Sequence, residues 1–263
     1  MKNNKRQVDS TRFLGYTFLM ILNTLSRKHM QKKIKDGTEI SISLDPSSGS
    51  NLEQYVTYLN DIPDIAIHLD VMDGVFVPRI SIPKEEYDFT IKNTEHMVDV
   101  HLMITSPQNK INPYIAKAVW GTLRSVTFQI EALDTENGQG ICMQTTLALL
   151  NKIKSMNIQA GIAIDLPTTV ESIESEILNN CDVVTIMSVK CGASGQSFNK
   201  SALDKVIYMK KHYPKIRIIL DGGINADNLP IVKSVGTDTA VFGSHVYKAQ
   251  NKAESIANLK VLC

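Results

Sequence analysis

Two histidines and two aspartates occupy positions at or near the ends of predicted β-strands. His68 and Asp70 lie two residues apart in one apolar run, His101 lies in the next run, and Asp221 ends a later one. Alternate residues of a strand share a face, so His68 and Asp70 point to the same side. Two imidazoles and two carboxylates form a suitable donor set for a divalent metal ion. The four residues therefore predict a metal site if the strands bring them together.

The two carboxylates also suit proton transfer. One could remove a proton from a carbon while the other delivers one to the opposite face of that carbon. A hydrogen beside a carbonyl is weakly acidic, and a metal on the carbonyl oxygen would stabilise the enediolate that forms. Each residue alone has an ordinary structural explanation, as a buried hydrogen-bonded histidine or a helix-capping aspartate. Their joint occurrence at three predicted strand ends favours a site.

Three short glycine-containing segments follow later predicted strands. They are Gly192-Ala193-Ser194-Gly195, Gly222-Gly223 and Gly243-Ser244. Glycine lets backbone N–H groups approach an anion closely. One glycine pair usually marks a turn, but three in consecutive strand-end loops predict a phosphate site.

The elements that position these residues alternate between strands and helices. The predicted strands are residues 40–44, 65–70, 97–103, 125–130, 159–164, 182–187, 216–220 and 239–242. The predicted helices include residues 51–59, 145–156, 169–178 and 201–212, and another begins near Asn225. Eight such repeats predict an α/β fold, a (β/α)8 TIM barrel over residues 38–263. An open dinucleotide-binding sheet is disfavoured, because no convincing G-x-G-x-x-G follows the first strand.

Charge separates a short N-terminal segment from the rest of the chain. The 263 residues carry 28 Lys/Arg and 27 Asp/Glu, a balance that argues against a nucleic-acid partner. Residues 1–36, however, hold nine basic and two acidic residues. We expect residues 1–37 to form a basic extension, helical or disordered, with a targeting or membrane-surface role as an alternative. Its apolar stretch, residues 13–25, is too short to span a membrane. The four cysteines form no C-x-x-C pair, which predicts a cytoplasmic location.

Four segments resemble, in family order, the ribulose-phosphate 3-epimerases. They are residues 68–78 (HLDVMDGVFVP), 99–103 (DVHLM), 192–198 (GASGQSF) and 221–225 (DGGIN). The two strand motifs are specific, whereas the glycine loops are shared with other phosphate-binding barrels. The resemblance covers roughly residues 38–260 and implies interconversion of D-ribulose 5-phosphate and D-xylulose 5-phosphate.

The resemblance also implies a role for each matched residue. His68, Asp70, His101 and Asp221 would hold one divalent metal ion, zinc in first place, with iron(II), manganese and cobalt as alternatives. Asp70 would accept the proton and Asp221 would donate it, with the roles exchanged in the reverse reaction. The substrate-binding residues would be Ser43 (or Ser41 if the register slips), His101, Gly192, Ala193, Ser194, Gly195, Asp221, Gly222, Gly223, Gly243 and Ser244, and Met72, Met103 and Met187 would line the pocket.

Some residues depart from the family pattern. Cys191, Ala193 and Gln129 stand where proline, an aromatic residue and histidine are usual, and Arg79 and Asp165 replace asparagines. None of these changes removes an expected metal ligand or acid–base group. Two alternatives stay open: a 3-epimerase of a six-carbon ketose phosphate such as allulose 6-phosphate, and a non-catalytic sugar-phosphate-binding barrel. The expected partners are a small sugar phosphate and further copies of the chain, in a dimer or hexamer.

Overall fold

Short runs of aliphatic and β-branched residues form the strands of this protein. The structure, a computed structural model, describes residues 37–44, 51–133 and 141–263. Its strands are β1 (Glu39–Leu44), β2 (Ala66–Asp73), β3 (Ile80–Ser81), β4 (Val98–Met103), β5 (Leu123–Gln129), β6 (Gln159–Ile164), β7 (Val183–Met187), β8 (Arg217–Asp221) and β9 (Thr239–Phe242). Most strand residues are buried, as expected for a parallel sheet that is covered on both faces.

Eight of these strands close into a parallel barrel. β1 pairs with both β2 and β9, so the sheet has no free edge along the ring. The predicted (β/α)8 barrel is therefore confirmed, and the strand positions agree within about two or three residues. The two-residue β3 was not predicted; it pairs antiparallel with β2 and places Ser81 opposite Met72.

Helices connect the strands along the chain. They are α1 (Leu52–Asn60), α2 (Lys84–Asn93), α3 (Pro107–Lys110), α4 (Asn112–Ile115), α5 (Met143–Lys154), α6 (Ser175–Asn179), α7 (Ser201–His212), α8 (Leu229–Ser234), α9 (Ser244–Tyr247) and α10 (Lys252–Leu262). Asn51 caps α1 by accepting a hydrogen bond from the Gln54 N–H at 3.2 Å. Within the described ranges, 3₁₀ turns lie at Ala116–Trp120, Ile130–Ala132 and Val170–Ser172.

Two helix predictions were wrong. Residues 169–178 do not form one helix: the 3₁₀ turn ends at Ser172, Ile173 is extended, and α6 begins at Ser175. Consecutive β-branched residues at the start of this segment are weak helix formers. The helix expected near Asn225 begins instead at Leu229, because the Asn225 side chain accepts the N–H groups of Asp227 and Asn228 and closes a turn.

Charged side chains fill the barrel interior at the amino-terminal ends of the strands. Asp99 is 1% exposed and accepts hydrogen bonds from Arg124 at 2.5 Å and Arg217 at 2.7 Å. Arg124 also pairs with Glu39 at 2.6 Å, and Ser125 donates to Asp99. Burial alone would raise the pKa of Asp99, but the two arginines hold it well below its ordinary value of 3.8. This cluster therefore depends on an ionised Asp99.

We expect Asp99→Asn to lower the free energy of unfolding by about 3–5 kcal/mol, because two buried arginines lose their shared carboxylate. The pKa of Asp99 is lower in the folded state than in the unfolded chain. Its contribution is therefore complete above the unfolded pKa and is lost as the pH falls through the folded one. Urea unfolding at neutral pH and in acid measures both effects. Asp88→Asn, which alters partly exposed pairs with Lys84 and Lys117, should cost under about 1 kcal/mol; equal losses in the two variants would contradict the expectation.

Thr38–Cys263, the barrel, is a compact unit by itself. The predicted basic extension falls almost wholly on residues 1–36, which lie outside the described residues, so its form stays a prediction. Across the part of the chain that the structure describes, the helices are all too short or too polar to cross a membrane.

Candidate active site

Three barrel strands bring the two histidines and two aspartates together. β2 carries His68 and Asp70, β4 carries His101 directly opposite Asp70, and β8 ends in Asp221. One potential ligand atom from each residue lies within 4.8 Å of the others. Asp70 Oδ1 is 3.1 Å from His101 Nδ1 and 3.4 Å from His68 Nε2, and Asp221 Oδ2 is 3.9 Å from both rings. The arrangement is a compact N₂O₂ cluster.

The contacts of the histidines fit a bound metal ion. His68 is fully buried, yet neither of its ring nitrogens has a hydrogen-bond partner among the described residues. Buried polar atoms are rarely left without a partner. Nε2 of His68 points at the same carboxylates as Nδ1 of His101, so one cation between them would satisfy both rings. These residues could therefore hold a divalent metal ion.

The two carboxyl groups differ in proton affinity. Burial raises the pKa of Asp221 to about 6, and the negative charge of Asp70 adds to the shift. Burial acts the same way on Asp70, but His68 and His101 more than compensate and hold the pKa of Asp70 below its usual range. With only the charges of the protein itself acting, Asp70 is ionised at neutral pH. Asp221 takes up a proton at a pH closer to neutrality than an ordinary carboxyl does. Two carboxyls with separated pKa values form an acid–base pair.

Two serines hold Asp70 in place. Ser43, at the end of β1, donates a hydrogen bond from its Oγ to Asp70 Oδ2 at 2.9 Å. Ser81, on the unpredicted β3, donates to the backbone carbonyl of Asp70. Ser41 is fully buried deeper in the barrel and is not part of the pocket lining. The structure thus places Ser43, and not the alternative Ser41, beside the cluster.

A pocket that is partly open to solvent lies over the cluster at the carboxyl ends of the strands. Active sites of TIM barrels lie at this end. Met72, Met103 and Met187 line it and are almost completely buried. The rings of His68 and His101 have no exposed surface and lie outside the pocket lining, so Asp70 and Asp221 are the members of the cluster that face the cavity.

The glycine segments form the other side of the pocket. Every residue of these segments that was expected to bind substrate lines it: Gly192, Ala193, Ser194, Gly195, Gly222, Gly223, Gly243 and Ser244. Gly223 has φ +64°, and a Cβ on it would lie 2.7 Å from the Phe198 backbone nitrogen and 2.9 Å from the Gln196 carbonyl oxygen. Glycine is therefore required there for the two loops to meet.

Some pocket residues were missed by sequence reasoning or noted only as departures. Gln196 spans its loop by donating from Nε2 to the carbonyls of Lys190 at 2.6 Å and Ala193 at 2.8 Å. Its position inside the 192–198 segment could have identified Gln196 as a pocket residue from the sequence. Ser81 carried no such signal, because its contact depends on a two-residue strand. Arg79 also lines the pocket.

Comparison with known proteins decides the family. A profile of the Ribulose-phosphate 3 epimerase family matches residues 39–247, which include all of these pocket residues. The chain belongs to this family. Among its relatives, the rice protein named ribulose-phosphate 3-epimerase, cytoplasmic isoform, is 31% identical over 196 residues, 74% of this chain and 80% of the relative. The ribulose-phosphate 3-epimerase of Bacillus subtilis is 32% identical over 212 residues, 76% of this chain and 91% of the relative.

Solved structures support the fold of this epimerase-family chain. The 3-keto-L-gulonate-6-phosphate decarboxylase from Vibrio cholerae superposes with a TM-score of 0.59 at 14% identity, covering 86% of this chain and 97% of that one. At such low identity the likeness shows the barrel fold and does not extend to the reaction.

Proposed function

We propose that this protein is a metal-dependent epimerase that interconverts D-ribulose 5-phosphate and D-xylulose 5-phosphate by proton transfer at carbon 3. The observation that carries the proposal is the pair of pocket-facing carboxyls, Asp70 and Asp221, clustered with two buried histidines beneath the pocket. Membership of the ribulose-phosphate 3-epimerase family supports the choice of substrate.

The proposed reaction needs carbon 3 of the sugar between the two carboxyls. Ionised Asp70 removes the proton from one face, and protonated Asp221 delivers a proton to the other face. In the reverse direction Asp221 is the acceptor and Asp70 the donor. Ser43 keeps Asp70 oriented through its hydrogen bond to Oδ2. Buried methionines around the cavity limit the access of water to the reacting carbon.

A metal ion held by His68, Asp70, His101 and Asp221 would stabilise the negative charge that develops on the substrate oxygens when the proton leaves. We propose zinc, because imidazole nitrogen and carboxylate oxygen are both common zinc ligands. We also propose that the backbone N–H groups of the 192–195, 222–223 and 243–244 loops bind the phosphate, which would set the distance of carbon 3 from the carboxyls.

Removal of the metal should abolish turnover. After dialysis against a chelator, we expect the rate to fall by about a thousandfold or more, and stoichiometric zinc to restore it. The rate is measured by following xylulose 5-phosphate, and bound metal by elemental analysis of the same samples. Dialysis against zinc-saturated chelator is the control. Full activity in protein without detectable metal would refute metal dependence.

Two finer points are proposals of the same kind. Cys181, Cys191 and Cys263 are thiols, which supports a reducing compartment, and we propose the cytoplasm. We also propose that the chain forms a homo-oligomer. Light scattering of the full chain would measure its mass.

A panel of five- and six-carbon ketose phosphates distinguishes the pentose substrate from its six-carbon alternative. Binding of these compounds without turnover would favour a non-catalytic binding barrel.

A further inference from the structure

We propose that Gln129 is a positioning residue that fixes the tautomer of His101, so that the ring carries its proton on Nε2 and presents the Nδ1 lone pair to the metal. The inference rests on the proposed metal-dependent function. It concerns a residue of this chain that stands where the family usually has histidine.

The side chain of Gln129 lies beside the metal cluster. It is the last residue of β5, is fully buried, and has one end of its amide 3.0 Å from His101 Nε2. The other end of the amide lies 2.6 Å from Glu131 Oε2 and 3.3 Å from the carbonyl oxygen of Ala163. Gln129 therefore joins the ring of His101 to two oxygen acceptors.

These neighbours determine which way the amide faces. An ionised carboxylate and a carbonyl oxygen can only accept hydrogen bonds, so the NH₂ group of Gln129 faces Glu131 and Ala163. Its oxygen then faces His101 Nε2 and requires a proton there. Glu131 is itself anchored, because its Oε1 accepts the backbone N–H of Asp165 at 3.0 Å.

A proton on Nε2 of His101 determines the state of Nδ1, the other nitrogen of the ring. A neutral imidazole has one N–H, so a proton on Nε2 leaves Nδ1 with a lone pair. That lone pair faces Asp70 Oδ1 at 3.1 Å, where two acceptors would repel each other unless a cation lies between them. Hydrogen bonds to the outer nitrogen of a metal-binding histidine are known to orient the ring and strengthen the ligand.

Three substitutions separate this role from simple packing. Gln129→Met keeps the length of the side chain and removes the acceptor. Gln129→Glu keeps an oxygen for His101, and Glu131, which is exposed, would give up its hydrogen bond from the Asp165 N–H to turn away from the added charge. Thr127→Val is the control: Thr127 is buried on the same strand two residues away, and it hydrogen-bonds Thr185 and the carbonyl of Val100 instead of the histidine.

Two measurements other than activity, both made at a pH above neutral, test the inference. Zinc affinity is measured by competition with a chromogenic chelator, and NMR of protein labelled with ¹⁵N-histidine reports which ring nitrogen carries the proton. We expect the wild type to show the Nε2–H tautomer for His101, assigned with His101→Asn. Gln129→Met should weaken zinc binding by about 10–100-fold, while Gln129→Glu and Thr127→Val stay within about threefold of the wild type.

The possible failures are distinguishable. A wild type that binds no zinc would overturn both the proposed metal site and this inference. A wild type that binds zinc, with Gln129→Met binding equally well, would overturn the inference alone, as would equal losses in Gln129→Met and Gln129→Glu. If Gln129→Met does not fold, the wild-type spectrum still decides, because a metal-free His101 ring without a proton on Nε2 contradicts the inference.

Discussion

Asp70→Asn and Asp221→Asn should each lower the rate of epimerisation by about a thousandfold or more while the barrel stays folded. An amide has nearly the shape of a carboxyl, but it neither takes up nor releases a proton at neutral pH. In the proposed mechanism each variant therefore lacks one of the two acid–base groups that invert carbon 3, and it also exchanges one carboxylate ligand of the proposed metal ion for an amide. Steady-state formation of xylulose 5-phosphate measures the loss, and thermal unfolding shows that the fold is retained.

Asp182→Asn is the matched control for these variants. Asp182 precedes β7 at its amino-terminal end, where its carboxylate accepts the Ala160 N–H at 3.0 Å, and it does not line the pocket. We expect turnover within about twofold of the wild type, because the proposed proton transfer uses only the pocket carboxyls. Retention of more than about a tenth of the wild-type rate in Asp70→Asn or Asp221→Asn would argue against the two-carboxyl mechanism.

Gly223→Ala should raise KM for the phosphorylated substrate by about 10–100-fold, the equivalent of one lost hydrogen bond to a charged group. The added Cβ meets the Phe198 nitrogen at 2.7 Å and the Gln196 carbonyl at 2.9 Å, so two backbone segments must separate. Their N–H groups would then no longer converge on the phosphate. Steady-state kinetics measures KM, and zinc affinity should not change, since the metal cluster is formed by other residues.

Gly236→Ala separates a phosphate effect from backbone strain. Gly236 also has a positive φ, +85°, but its added Cβ would meet only the flexible Lys210 side chain at 3.4 Å. Gly236 does not line the pocket. We expect this variant to lose about 1 kcal/mol of stability with KM unchanged. A KM for Gly223→Ala within about threefold of the wild type would show that this loop does not bind the phosphate.

The barrel and its cluster of two histidines and two aspartates could be predicted from the sequence because both follow from simple periodicities. Alternation along a strand places His68 and Asp70 on one face. The register of parallel neighbours then sets His101 opposite Asp70, and the carboxyl end of β8 supplies Asp221. The glycine loops could be placed for the same reason, since each follows a strand end directly.

Other contacts depend on geometry that a linear pattern does not contain. Ser81 reaches Asp70 only through the hairpin of β2 and β3, whose second strand is two residues long. Gln129 was visible as a departure from the family, but its link to His101 depends on Glu131 and the backbone of Ala163. The segment at 169–178 contains both weak and good helix formers, and it forms a 3₁₀ turn, an extended residue and a short helix in place of one helix.

The most direct test of the proposed mechanism is NMR of D-ribulose 5-phosphate in D₂O with zinc-loaded protein. With the wild type we expect deuterium at carbon 3 of both epimers, because the proton delivered by Asp221 comes from solvent. Asp221→Asn should place deuterium in ribulose 5-phosphate without forming xylulose 5-phosphate, since Asp70 still exchanges the proton that faces it. Asp70→Asn should do neither. Xylulose 5-phosphate that retains its original hydrogen at carbon 3, or no reaction of the folded, zinc-bound wild type, would contradict the mechanism.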